Sequence, residues 1–320
     1  VIVVCYIKSK QKLGFFFIRE RIFMKVYKGE SGYLNLIWDV LSQGVEIPDR
    51  TGVGTRAIFD AKVVYDSFPF STVRPAPLRM AFEEFWMFMR GETQTKVLEE
   101  KGINFWKGNT SRDFLDKRGL HNLPEGDMGS AYGSQWRQYG NDTVDENLSI
   151  NPKDQLVEVY ETLKTDPYSR RLYTTFWNPN ESHLMALTPC WHSHQFVVIP
   201  DSDGNNVLHL KLINRSLDVI FGLQYAVQQY YLYLMAMAKL LNMKVGTLSA
   251  DLTHVHIYNN QVEYANELLT RDLGRPGKVT INKELNTLDD MINLQWEDIV
   301  VEDLVVNTLP FKTPRPPMAV

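Results

Sequence analysis

The sequence predicts an α+β fold in a single domain, and three observations carry that prediction. Strand-like and helix-like runs follow one another without a regular βαβ rhythm. No Gly/Ser/Pro-rich linker divides the chain into two compositional regimes, and no repeat or low-complexity segment interrupts it. Of its 320 residues 44% are hydrophobic and 22% charged, which gives enough apolar material for one large core.

The elements justify the class in order, over a domain spanning residues 30–320. Residues 32–44 (GYLNLIWDVLSQG) place apolar residues at helical spacing and stop at a glycine. DRTGVGT at 49–55 is a turn-rich loop that feeds the strand-like AIFDAKVVYD. LRMAFEEFWMFMRG at 78–91 is a strongly apolar helix ending at Gly91, and DQLVEVYETLKTDP is a second helix closed by Asp-Pro. RLYTTFWN, HQFVVIP, NVLHLKLIN, TLSADLTHVHIY and KVTIN read as strands. Among them lies LQYAVQQYYLYLMAMAKLLNM, apolar on nearly every face and therefore a buried helix.

Bulk properties exclude several classes. A net charge of −4 argues against general nucleic-acid binding, while leaving room for a local Arg cluster around one phosphorylated ligand. No GxGxxG or Walker loop is present, so a nucleotide is not held by either device. The longest apolar piece of the first 23 residues falls far short of the ~20 needed to span a membrane. That stretch (VIVVCYI, then KSKQK, then FFFIRERIF) differs in character from the rest of the chain. It reads as a non-native or disordered leader, with Met24 as the start of a catalytic domain over 24–320. Two cysteines make no disulfide framework, which points to a reducing cytoplasm. If Met24 is the start, Cys190 is the working protein's one cysteine.

Cys190 comes after Pro189 and precedes a strand in ALTPCWHSHQFVV. A lone cysteine is commonly a buried hydrophobe. A free thiol titrates near ~8.5, and neighbouring cations lower that value. Arg170, Arg171 and Arg215 stand close by in sequence.

Ordered motifs then carry a resemblance. DRTGVGT, FPFSTVR, EEFWMFMRGET, WKGNTSRDFLDKRG and EGDMGSAYGSQWR come first. DPYSRRLYTTFW, MALTPCWHSHQFVV, NRSLDVIFG, HVHIYNNQVE and the final PPMAV come after them. From about residue 33 to 320 this series resembles the thymidylate synthase family, including its sister pyrimidine-nucleotide hydroxymethylases. The resemblance implies a large mixed β-sheet packed against helices, with a sheet face forming a homodimer interface. It implies covalent catalysis, in which Cys190 adds to C6 of a pyrimidine nucleotide monophosphate so that C5 accepts a one-carbon unit. The donor would be 5,10-methylenetetrahydrofolate, with no metal.

By the same resemblance Arg50, Arg215 and Ser216 hold the phosphate, and Arg170 and Arg171 reach it from the partner subunit. Glu84 organises water and moves protons at the base. Glu83 beside it reads as an ordinary helix residue. Tyr132 lies near the nucleophile, and Asp218 contacts pterin and base. His256 and Tyr258 hold the ribose 3′-hydroxyl. Trp106, Gly222 and the tail residues Met318, Ala319 and Val320 bind and close over the folate.

Several positions depart from the family pattern. Ala226 stands where an Asn reads the uracil edge, and an alanine cannot donate or accept there. Trp191 replaces the His after the nucleophile, Lys107 an Asp, His254 another Asp, and Val73 a Lys. Two outcomes therefore stay open: methylation of dUMP to dTMP, slightly ahead, and hydroxymethylation of dCMP, dUMP or CMP. Two remoter readings are a Cys-His hydrolase using His192 or His194, and an inactive nucleotide-binding homologue.

Overall fold

The computed structural model describes residues 25–140 and 152–317. The proposed leader 1–23 and the tail residues Met318, Ala319 and Val320 lie outside the described residues.

The chain opens with β1 (Lys25–Lys28), α1 (Gly29–Gln43), β2 (Val45–Ile47), β3 (Thr55–Tyr65) and α2 (Leu78–Met89). Three short helices come next: α3 (Lys96–Glu99), α4 (Arg112–Lys117) and α5 (Gly133–Arg137). The longer α6 (Gln155–Thr165) leads to β4 (Tyr173–Thr175), β5 (Trp191–Pro200), β6 (Asn206–Asn214) and β7 (Leu217–Asp218). The chain ends through α7 (Leu223–Leu240), β8 (Lys244–Tyr258) and α8 (Val262–Leu269), then β9 (Lys278–Ile281), α9 (Leu288–Ile292) and β10 (Ile299–Glu302).

Eight strands form one mixed sheet in the order β1-β3-β8-β6-β5-β4, with β2 added to β3 and β7 to β8. The β1–β3, β6–β8 and β7–β8 pairs are parallel; β3–β8, β5–β6 and β4–β5 are antiparallel. β9 and β10 make a separate antiparallel ribbon. This mixture is the α+β arrangement read from the sequence.

Alternation explains the layering. Along β3 the residues Ala57, Ala61, Val63 and Tyr65 are buried, and along β6 Leu208, Leu210 and Leu212 are buried. These inward positions receive α1 and α7, and α2 packs on α7 in turn. Helix α7 is buried on nearly every side, as its composition predicts. Phe82 stacks on Trp86 at 4.3 Å, and Trp86 Nε1 donates to the Met291 carbonyl at 2.9 Å, tying α2 to the end of α9. On β5, Val197 and Ile199 alternate with the buried Phe196 and Val198 and are exposed on the opposite face of the sheet.

The boundaries differ from the sequence reading where tertiary contacts decide them. The first helix begins at Gly29, earlier than 32, because Gly29 takes a φ of 59° that turns the chain out of β1. RLYTTFWN forms only the three-residue β4, and Phe176 continues by donating its N–H to the His192 carbonyl at 2.8 Å. Helices α3, α4 and α5 lie in stretches too short and polar to show a helical period.

Candidate active site

Three secondary elements and one turn converge on Cys190. The turn 188–190 precedes β5, whose pairing with β6 shifts register between Trp191 and Ser193. Such a bulge re-aims side chains at the strand end. Arg215, at the end of β6, wraps this turn. Its Nε donates to the Pro189 carbonyl at 2.9 Å, and its Nη2 to the Thr188 carbonyl and Oγ1 at 2.8 and 2.9 Å. The same Nη2 lies 3.9 Å from Cys190 Sγ, and the Arg215 N–H donates to the Cys190 carbonyl at 3.0 Å.

From the opposite side, the Cys190 N–H donates to the hydroxyl of Tyr132 at 3.0 Å. Tyr132 stands just before α5 with a φ of 26°, a conformation that a bulky residue adopts only under tertiary constraint. Its ring stacks on Phe88 of α2 at 4.9 Å and meets Trp106 edge-on. Burial pushes the Tyr132 phenol well up, so it stays neutral. Burial also raises the Cys190 thiol, against the opposing pull of Arg215 and Arg50. The sequence reading expected cations to lower it. Within one chain, desolvation outweighs two guanidiniums, and Arg170 and Arg171 do not act on it.

A cavity of about 210 Å³ opens beside this turn, walled by α2, α5, α7 and β5. Glu84, Trp106, Tyr132, Gly222 and Ala226 line it, as does Trp191. Trp106 Nε1 donates to Glu84 Oε1 at 2.6 Å, and Gln229 Nε2 donates to Glu84 Oε2 at 2.5 Å. Burial raises the Glu84 carboxyl, and these two hydrogen bonds only partly offset it. Glu83 faces elsewhere and pairs with Lys101 at 2.6 Å. A methyl at Gly222 would sit 2.8 Å from the Asp218 carbonyl, so the chain there requires glycine.

The sheet's β7–β8 edge supplies the rest. Asp218 Oδ1 accepts from the N–H groups of Ile220 and Phe221 at 2.8 and 3.1 Å, and Oδ2 from Gln261 at 2.8 Å. His256 is buried on β8, its Nδ1 3.2 Å from His254 Nδ1. Burial lowers its pKa, with Asp218 opposing, so the imidazole is held neutral. Burial raises the Tyr258 phenol, which also senses Asp218, Asp49, Arg50 and Cys190. Arg50 rides an exposed loop fixed by Asp49, whose carboxylate accepts from Thr51 N–H, Thr51 Oγ1 and Gly54 N–H at 2.9, 2.6 and 2.7 Å. Ser216 comes after Arg215 on the turn into β7.

Four named positions stand apart. Arg170 and Arg171 are exposed on the 166–171 loop, and Lys107 is exposed and pairs with Glu99 at 3.6 Å. Val73 is fully buried. The hydrolase reading fails on geometry. His194 is buried among Trp136, Phe176 and Tyr230 with neither ring nitrogen hydrogen-bonded, and His192 bonds to Ser193. Among the described residues no group of three or more His, Cys, Asp or Glu is arranged to hold a metal ion.

The thymidylate synthase family model matches residues 31–309. The chain belongs to that family. It is 33% identical over 287 residues to thymidylate synthase of Saccharomyces cerevisiae, covering 86% of this chain and 93% of the yeast protein. It is 35% identical over 279 residues to thymidylate synthase of Homo sapiens, covering 86% and 87%. Thymidylate synthase of Candida albicans is 33% identical over 292 residues, covering 85% and 93%.

Sequence reasoning missed several cavity residues of this thymidylate synthase family member. Gln229 and Arg315 line the cavity, Arg315 with its guanidinium 4.9 Å from the Phe221 ring centroid. The segment before the tail is pinned as well. The Lys312 and Thr313 N–H groups donate to the Glu267 carboxylate at 2.7 Å each, and Asn260 donates to the Pro317 carbonyl at 3.4 Å. No local motif marks Gln229; its signal was its place one helical turn after Ala226.

Proposed function

We propose that the chain methylates dUMP to dTMP at C5, with 5,10-methylenetetrahydrofolate as cosubstrate. The single observation that carries this reading is the held cysteine. Cys190 is fixed at its N–H by Tyr132 and at its carbonyl by Arg215, beside a cavity whose buried carboxyl is Glu84. Arg50, Arg215 and Ser216 bind the nucleotide phosphate, and neutral His256 with Tyr258 takes the ribose hydroxyl. The Cys190 thiolate adds to C6; the C5–C6 π electrons move toward C4–O4, and C5 becomes nucleophilic. Glu84, protonated more readily than an ordinary carboxyl, exchanges protons at the base through water. Trp106, Gly222 and Phe221 give the pterin an aromatic, water-poor wall that suits a flat ring. The folate, when bound, supplies the methylene carbon and the hydride that reduces it.

The relatives over most of the chain are thymidylate synthases, so hydroxymethylation is not favoured. Incubation with dUMP and methylenetetrahydrofolate is expected to yield dTMP and dihydrofolate in equal amounts, read by absorbance and chromatography. A hydroxymethylated nucleotide with tetrahydrofolate would overturn the methylation step.

The partner and the setting belong to the same proposal. The protein acts as a homodimer through the open sheet face, where Val197 and Ile199 are exposed, and Arg170 and Arg171 cross to the partner's phosphate site. No helix among the described residues is long and apolar enough to cross a membrane. A free catalytic thiol suits the reducing cytoplasm. Mixing inactive Cys190→Ser with inactive Arg170→Ala/Arg171→Ala is expected to restore activity at about a quarter of the sites after subunit exchange. Activity that stays at background, with exchange verified, would place those arginines outside the partner's site.

A further inference from the structure

We infer that Gln229 sets the choice of base, by fixing Glu84 through Nε2 and offering Oε1 to the N3–H of uracil. This rests on the reading of the cavity as the base site. Ala226 and Gln229 lie three residues apart on α7 and line the same cavity. The loss of a polar side chain at 226 is thus answered one turn later by an amide on the same face.

The orientation of that amide is fixed by its neighbours. Nε2 is within 3.2 Å of the Ala81 carbonyl, which can only accept. The same nitrogen donates to Glu84 Oε2 at 2.5 Å. Both Nε2 hydrogens are therefore committed, whichever protonation state Glu84 holds. Oε1 has no hydrogen-bond partner among the described residues, and it is not among the fully enclosed, unsatisfied polar atoms. It is left as an acceptor at the cavity wall.

Polarity then decides what it can read. The phenols of Tyr225 and Tyr230 rotate and can donate or accept, and the lining indoles and Arg315 only donate. Glu84 changes polarity with its proton. Among the described lining residues, Gln229 Oε1 is the one side-chain acceptor whose polarity is fixed. Uracil presents a donor at N3, whereas cytosine presents an acceptor there. Placed opposite N3, Oε1 gains a hydrogen bond with uracil and faces a lone pair with cytosine. A site that must leave such a group unpaired rejects the wrong ligand strongly.

The test measures equilibrium binding of dUMP and dCMP by calorimetry, on the full chain and on Gln229→Met, which keeps the side-chain volume without the amide. The full chain is expected to prefer dUMP. Gln229→Met is expected to weaken dUMP by about ten-fold and bring the two affinities to within roughly three-fold. The double variant Gln229→Met/Ala226→Asn, with an amide restored one turn away, is expected to regain the dUMP preference. The kcat–pH profile of Gln229→Met should also shift, because Glu84 loses one donor. If Gln229→Met does not melt cooperatively, Gln229→Asn, one methylene short of the base, is expected to show the same loss. A folded variant that keeps its dUMP preference removes this inference and leaves the methylation reading intact. A full chain that prefers dCMP overturns both.

Discussion

Replacing Cys190 by serine is expected to lower turnover by on the order of 10⁴-fold or more while nucleotide affinity changes only a few-fold. The serine hydroxyl is a far weaker nucleophile than a thiolate, and the half-buried turn offers no imidazole to activate it. The fold around the turn does not depend on sulfur. Arg215 holds it through the carbonyls of Thr188, Pro189 and residue 190, and Tyr132 through the backbone N–H. The loss should therefore lie in kcat, with an unchanged melting temperature and calorimetric dUMP binding as controls. Intact-mass spectrometry after a rapid quench provides the second reading: a nucleotide adduct in the native chain, none in the variant. Retention of full turnover by Cys190→Ser would sink the covalent mechanism.

Changing Glu84 to glutamine is expected to cost about 10²–10⁴-fold in kcat. The substitution keeps the side chain's shape and an oxygen that can accept from Trp106 or Gln229, but removes the titratable proton. Its amide nitrogen must then face one of those two donors, so a modest loss of stability of about 1–3 kcal/mol accompanies it. The sign of the pH effect comes from the raised carboxyl. The folded state holds that proton more tightly than the unfolded chain. This contribution to stability is therefore fully present at acid pH and is lost as pH rises through the folded-state pKa. Native enzyme should show an ionisation in its kcat profile above the ordinary carboxylate range of ~4.3, and Glu84→Gln should lack it. Urea melts at several pH values check the stability half; a Glu84→Gln profile that keeps the same ionisation would assign it to another group.

Much of this site could be read from the sequence because its chemistry is written in rare residue types. An acidic pair inside an apolar helix, a cysteine after proline and a turn rich in glycine each conflict with a bland packing role. The structure gathers Glu84, Trp106, Tyr132, Gly222 and Ala226 around one cavity. Gln229 could not be read the same way. Glutamine on a helix ordinarily signals a solvated face, yet Gln224, Gln228 and Gln229 are all buried. The direction of the Cys190 shift was also out of reach, since a sequence displays nearby charges but not the water that burial removes. The longer strands were legible as runs, while β1, β2, β7 and β10 were not. Each has four or fewer residues, and pairing with a neighbour defines it.

Helix α7 has a consequence for how such a protein can diverge. The same helix lines the cavity through Ala226 and Gln229 and fills the middle of the core through Val227, Leu234 and Met237. A change of ligand preference made on this helix is therefore also a repacking event, and its cost in stability is not additive with changes one turn away. Variants that alter this cavity wall are expected to keep stability best in linked sets, in which a shortened side chain is matched by a lengthened one. Alanine at 226 beside glutamine at 229 has the form of such a set. A single substitution at 226 or 229 therefore reshapes the cavity wall and the packing of α7 together.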